Sequence, residues 1–225
     1  MIRLKEAWTL DPSLVLWLPL RDMPDGNSLQ SCDKHGHTCT VTGATWGAQG
    51  RSFDGTDDLL SVAYNSAFAL GANDFSLSFW LFRNTNSSGR DVIGSRDNAA
   101  HTEGWILSFN IAANLLLTYI SSAGAGWDIV AGGFNESFAD KTWLFLEMKR
   151  SGATLTLYQN RIANAAPVTV GTTAIHDSGH SIFLGACGDG TRLWKGRLDD
   201  VRLYKRPLWP AESDRIYEST KGRYA

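Results

Sequence analysis

Apolar and polar residues alternate along this chain in short runs, and clusters of Gly, Asn, Asp and Ser separate the runs. That regular punctuation predicts many short strands. The pattern places them at residues 14–20, 37–42, 51–53, 59–62, 75–82, 91–95, 105–110, 115–120, 129–134, 143–150, 154–159, 181–186 and 193–203. In one of these, Phe75, Leu77, Phe79 and Leu81 alternate with Ser76, Ser78, Trp80 and Phe82. The first face is wholly apolar. The second begins polar and ends aromatic, as in a strand that runs from a solvated groove to a covered edge. Asp54-Gly55 between apolar stretches predicts a tight hairpin turn. A single helix is predicted over residues 210–217, with Pro210 at the first position, where no amide hydrogen is needed. Leu208, Ile216 and Tyr217 would dock it on the edge of the sheets. A short turn is expected around residues 65–70. No internal repeat or low-complexity linker interrupts the series, so residues 1–225 read as a single domain with its core at about 14–218.

Composition narrows the function classes. The length of 225 residues suits one all-β unit, and an apolar fraction of 43% supports a sizeable core. The net charge of −2 leaves no basic excess to hold a phosphate backbone, so nucleic acid is not an expected partner. No apolar run is long enough to cross a bilayer, and the first residues lack the apolar core of an export signal. Membrane insertion is therefore not expected. The chain reads either as cytosolic or as carried outside on a larger particle such as a virion. Nine Trp, ten Phe and six Tyr have core and hairpin packing as their ordinary fate, with a sugar-stacking platform as the sharper reading. Cys32 and Cys39 flank a polar loop, where a short-loop disulfide depends on the redox compartment. Their spacing with His35 and His37 matches none of the common structural zinc patterns. Cys187 reads as a buried thiol.

Several blocks then carry a family resemblance. They are Leu16-Trp17-Leu18-Pro19-Leu20 with the polar loop around Asp33, Gly43 through Val62 with its Asp54-Gly55 turn, and Asp74 through Trp80. The closing block runs Gly196-Arg197-Leu198-Asp199-Asp200-Val201-Arg202-Leu203-Tyr204 and on to Glu212. In this order they resemble the laminin-G-like domains of the concanavalin A-like (lectin/glucanase) jelly-roll class. The resemblance spans about residues 14–218 and implies an all-β, two-sheet antiparallel jelly-roll sandwich with a short C-terminal helix. Two positions depart from it. Asn160-Arg161 stands where an Asn/Asp-Gly turn is usual, which predicts a longer hairpin. Trp209 stands where Ser or Thr would cap the last helix, which predicts a weaker cap.

The fold hosts lectins, adhesion modules, hydrolases and structural modules, so function must come from the site. The paired-carboxylate strand motif of retaining glucanases with a related jelly roll is missing, and Glu103, Glu136, Glu147, Glu212 and Glu218 stand isolated. No G-x-S-x-G or H-E-x-x-H occurs. His176-Asp177-Ser178-Gly179-His180 gathers triad-type residues, but reads first as a turn between strands. Calcium is the cofactor that oxygen-rich loops of such a sandwich would suit, with Asp22, Asp33 and Asp199 as leading ligands and Asp25, Asp57, Asp58 and Asp200 behind them. The competing reading has Asp54 shaping a turn, Asp58 and Asp200 solvated, and Asp199 accepting buried backbone hydrogen bonds. Ligand recognition is expected on the rim loops 96–105 and 121–128, through Trp127, Asp97, Asn98, His101 and Trp105. Trp127 in a Gly/Ser-rich loop could stack on a sugar face while nearby amides and carboxylates bind hydroxyls, or fold back onto the sheet edge. Three functions follow: a non-catalytic module that recognises a glycan or cell-surface carbohydrate, a decoration or adhesion subunit with a protein partner in a phage particle, and, last, a glycoside hydrolase. An oligomer would show matching apolar edges, a monomeric lectin an open aromatic groove.

Overall fold

The computed structural model describes residues 11–23, 26–84, 91–98, 100, 103–110, 115–163 and 167–224, apart from the side chains of Asn135 and Glu136. Two antiparallel sheets face each other. The first has nine strands. Its main path runs Ile162–Ala163, Thr154–Gln159, Trp143–Ser151, Phe75–Arg83, Lys195–Tyr204, Gly50–Asp54 and Thr45–Gly47. Leu14–Leu18 pairs with Lys195–Tyr204, and Val168–Thr169 with Thr154–Gln159. The second, of eight strands, runs Val130–Ser137, Leu115–Ile120, Trp105–Asn110, Asp91–Gly94, Ile182–Leu184, Leu59–Val62, Thr38–Thr42 and Ser28–Gln30. Every strand expected from the alternation is present. The strands it misses, such as Ser28–Gln30 and Ile162–Ala163, are two or three residues long, too short to show a period.

The inner faces of the sheets enclose the main core, to which Phe75, Leu77, Phe79 and Leu81 contribute as their alternation predicts. The opposite face of the same strand differs from expectation. Ser76 and Ser78 are fully buried rather than solvated. The segment before the helix reaches Ser76, where Leu208 N–H donates to Ser76 Oγ at 2.9 Å. This makes a third layer. The helix Pro210–Thr220 and its flanks join Trp80, Phe145, Leu14, Tyr204, Leu208, Ile216 and Tyr224 in a second apolar cluster outside the first sheet. Trp80 donates its indole N–H to Thr220 Oγ1 and stacks on Tyr224 with centroids 4.3 Å apart.

The helix start is better held than its Trp209 cap suggests. Glu212 reaches back to accept from Trp209 N–H at 2.8 Å, half of a capping box. The Arg206 guanidinium donates to both oxygens of the same carboxylate. Those hydrogen bonds hold the Glu212 carboxyl below its usual range. The Asn160-Arg161 hairpin is not lengthened. Gln159 pairs directly with Ile162, and both turn residues take positive φ, 49° and 74°, the geometry of a two-residue type I′ turn.

The cysteines are free thiols. Cys32 is exposed while Cys39 points into the main core, so the short-loop disulfide is not formed. Burial pushes the thiols of Cys39 and Cys187 up to about 12. His37, a would-be zinc partner, contacts Val15 O through Nε2 at 2.9 Å and packs on Phe68.

Candidate ligand-binding rim

At one end of the second sheet, the connections 95–105, 121–128 and 175–181 converge. Main-chain bonds tie them together. Ser121 N–H donates to Gly104 O at 2.9 Å, and His176 N–H donates to Ser121 O at 2.8 Å. Ser178 Oγ donates to Ser95 O at 3.2 Å. Two glycines permit the close approach. Both take positive φ, and a Cβ at Gly104 would fall 2.1 Å from Ser95 Oγ while one at Gly124 would fall 2.9 Å from His176 Nε2.

On this frame sit a ring and several polar groups. Trp127 is half-buried, tilted against Tyr119 at 5.7 Å between centroids. The Arg96 guanidinium lies 5.7 Å from the Trp127 ring centroid. Next to Arg96 in sequence, Asp97 Oδ2 lies 3.5 Å from His180 Nε2, and Glu103 Oε2 lies at the same 3.5 Å. Two carboxylates thus flank one imidazole. Asp128 accepts from both the N–H and the Oγ of Ser122, which lowers its carboxyl below the usual range. Asp177 accepts from Tyr64 OH at 2.8 Å, and that bond raises the Tyr64 phenol. A shallow cleft below, between Tyr64, Trp105, His176, Asp177 and His180, has Phe68, Leu70 and Ile182 in its floor.

The residues expected on the rim separate under this geometry. Trp127 and Asp97 lie on it. Asn98 serves the loop itself, its Oδ1 accepting from Ala100 N–H and its carbonyl from Arg96 Nε. Trp105 lines the cleft but is only 3% exposed and packs in the main core, which leaves little of its ring for stacking. Its place on the strand Trp105–Asn110 points it between the sheets. His101 lies outside the described residues. His176, Glu103 and His180 are additions. The turn 176–180 is a turn, as its Asp, Ser and Gly imply, and it is also what carries His180 to Asp97.

Among the described residues, the leading calcium candidates Asp22, Asp33 and Asp199 do not gather into one acidic group. Asp33 uses Oδ2 to accept from Trp17 N–H and Oδ1 to accept from His35 N–H. Asp199 Oδ1 accepts from Arg21 N–H and Asp200 N–H, and Oδ2 accepts from Tyr224 OH at 2.6 Å. Desolvation pushes its carboxyl up to about 6. Asp22 lies beside Arg21 at the surface. The acidic group that does gather, among the described residues, is Asp54, Asp57 and Asp58 at the turn after Gly50–Asp54. That turn is not the tight hairpin expected at Asp54-Gly55: Gly50–Asp54 pairs within the first sheet and Leu59–Val62 within the second, so the chain crosses between the sheets here. Asp54 shapes that turn by accepting from Thr56 N–H. Asp58 and Asp200, expected to be solvated, are buried. Asp58 accepts from Asp54 N–H, and Asp200 accepts from Trp17 Nε1 and pairs with Arg202.

Comparison with known proteins agrees with this architecture. The binding domain of Paraclostridial Mosquitocidal Protein 1 superposes with a TM-score of 0.66 at 16% identity, over 93% of this chain and 53% of that one. Trypanosoma rangeli sialidase in complex with sialic acid gives 0.69 at 15% identity, over 94% of this chain and 33% of that one. The chain thus spans about half or a third of these structures, and the likeness is one of fold. A search of curated proteins finds no matching relative. A family model described as the concanavalin A-like lectin/glucanases superfamily matches residues 43–212, three quarters of the chain. With the two antiparallel sheets and the closing strand in place, the chain belongs to the concanavalin A-like lectin/glucanases superfamily.

Proposed function

We propose that this chain is a non-catalytic carbohydrate-recognition module whose site is the rim around Trp127. The observation that carries the reading is the half-buried Trp127 ring, held by Tyr119 and Arg96, beside hydrogen-bonding groups brought in by separate loops. Aromatic rings stack on the C–H faces of sugars, and carboxylates and imidazoles bind hydroxyls. A few placed polar groups against an aromatic wall are the usual make-up of a small-ligand site. The neighbours support the direction, since one is a binding domain and another was captured with sialic acid. Asp97 and Glu103 flank His180 and serve as hydrogen-bond acceptors in this reading, with no reaction assigned to them.

The test is Trp127→Ala measured two ways. Retention on a glycan array should be lost, and the melting temperature should stay within about 2 °C of the parent, because a half-buried loop ring contributes little to the core. Retained binding in that variant overturns the assignment. Aryl-glycoside turnover by the parent that disappears in Glu103→Gln would replace a binding module with a hydrolase.

A further inference from the structure

The charges around the rim bear on which glycan it takes, given that it takes one, and this step rests on the reading above. Asp97 and Glu103 face His180 with side chains 28% and 24% exposed. Asp128 follows Trp127 directly, and Asp177 lies on the turn that carries His180; both are exposed. Against these carboxylates stands one guanidinium among the described residues of the three loops, that of Arg96. It is already committed. Its Nε donates to Asn98 O at 3.1 Å, its Nη1 lies 3.7 Å from buried Asp91, and its plane lies by the Trp127 ring. Only about a tenth of its side chain meets solvent.

An acidic sugar is ordinarily held by an exposed, forked guanidinium that meets its carboxylate with paired hydrogen bonds. Here the incoming carboxylate would instead meet several like charges. Like charges a few ångströms apart repel even in water, and apposing them across an interface works against the wrong partner. A neutral sugar reverses the balance. Its hydroxyls are donors as well as acceptors, and the carboxylates of Asp97, Glu103 and Asp177 accept from them without a charge conflict.

We infer that the rim selects uncharged hexose-type glycans and discriminates against the same glycans bearing a terminal sialic acid. The neighbouring sialidase fold therefore does not predict the ligand of this site. The selectivity is carried by Asp97 and Glu103 beside His180, by Asp128 next to Trp127 in sequence, and by Asp177 on the turn 176–180.

The experiment uses the whole chain and a matched pair of immobilised oligosaccharides, one ending in galactose and the other identical but sialylated. Biolayer interferometry at low salt should show the sialylated member bound about tenfold more weakly. Raising sodium chloride to about 0.5 M should narrow the gap, because screening acts on the repulsion and spares the stacking. Asp97→Asn combined with Glu103→Gln should also narrow it, chiefly by improving the sialylated member. Near-ultraviolet circular dichroism checks that this variant keeps the parent fold. Equal or tighter binding of the sialylated member by the parent overturns the inference and leaves the glycan reading standing. A gap that neither salt nor the double substitution moves also overturns it. Binding of neither member by the parent, across an array of both classes, overturns the glycan reading itself and this inference with it.

Discussion

Asp199 lies where the two ends of the chain meet. Its carboxyl accepts from Arg21 N–H near the start, from Asp200 N–H, and from Tyr224 OH near the end. Removing it leaves buried donors without acceptors, so Asp199→Ala should cost about 2–4 kcal/mol at neutral pH, read from urea unfolding. Tyr224→Phe keeps the ring on Trp80 and loses one hydrogen bond, about 1 kcal/mol. Burial raises the Asp199 carboxyl from 3.8 to about 6. Between those values the folded chain holds a proton that the unfolded chain has released. This group's contribution to stability therefore falls as pH rises through the window. Asp199→Asn cannot titrate. The slope of its unfolding free energy between about pH 4 and pH 6 should be less negative than the parent's, and an unchanged slope would assign the proton elsewhere. The sequence held both of the roles weighed for this residue, metal ligand and buried acceptor. It could not choose, because the deciding partners stand 178 and 25 positions away. Asp200 was misread as solvated for the same reason, since Trp17 lies 183 positions off.

Among the elements, the hairpin at Asn160-Arg161 shows how a locally poor turn is held by what it reaches. Left-handed backbone at Arg161 costs about 1–2 kcal/mol relative to glycine. Its side chain compensates. It donates to buried Glu147 at 2.9 Å, to Asp214 on the helix at 2.6 Å, and to Pro210 O at 3.2 Å. Glu147 is fully buried and also accepts from Ser213 Oγ, with Lys149 Nζ at 3.4 Å. Arg161→Gly should therefore relax the turn yet still destabilise the chain, by about 2–3 kcal/mol, because a buried carboxylate loses its strongest partner. Adding Glu147→Gln in that background should recover part of the loss; no recovery would mean that the charge of Glu147 is not the source. From sequence, Asn160-Arg161 looked like a longer loop. The short turn was illegible because its support comes from the helix, which local patterning does not see. Long strands such as Phe75–Arg83 were legible because their alternation is itself the record of two different surroundings.

Across the whole molecule, the same residue type meets opposite fates according to the layer it enters, and two tryptophans make the contrast measurable. Trp105 and Trp127 both border polar loops, and both read as rim candidates. Trp105 begins the strand Trp105–Asn110 and pairs with Ile120, which turns its ring into the space between the sheets. Trp127 ends a loop whose closeness to its neighbours depends on Gly124, and its ring stays half-buried at the edge. The three connections 95–105, 121–128 and 175–181 are far apart in sequence, so their meeting could be read only from the assembled sheet order. Trp105→Ala removes a core side chain and should cost about 3–5 kcal/mol, seen as a large drop in melting temperature with binding lost only as the fold is lost. Trp127→Ala should show the reverse, with folding nearly intact and glycan retention gone. Differential scanning calorimetry alongside glycan retention at a temperature where both variants are folded separates the two. If Trp105→Ala still binds when folded and Trp127→Ala does not, recognition belongs to the rim and the sandwich beneath serves to hold its loops in place. If both folded variants retain the glycan equally, the aromatic wall must be sought on another face of the molecule.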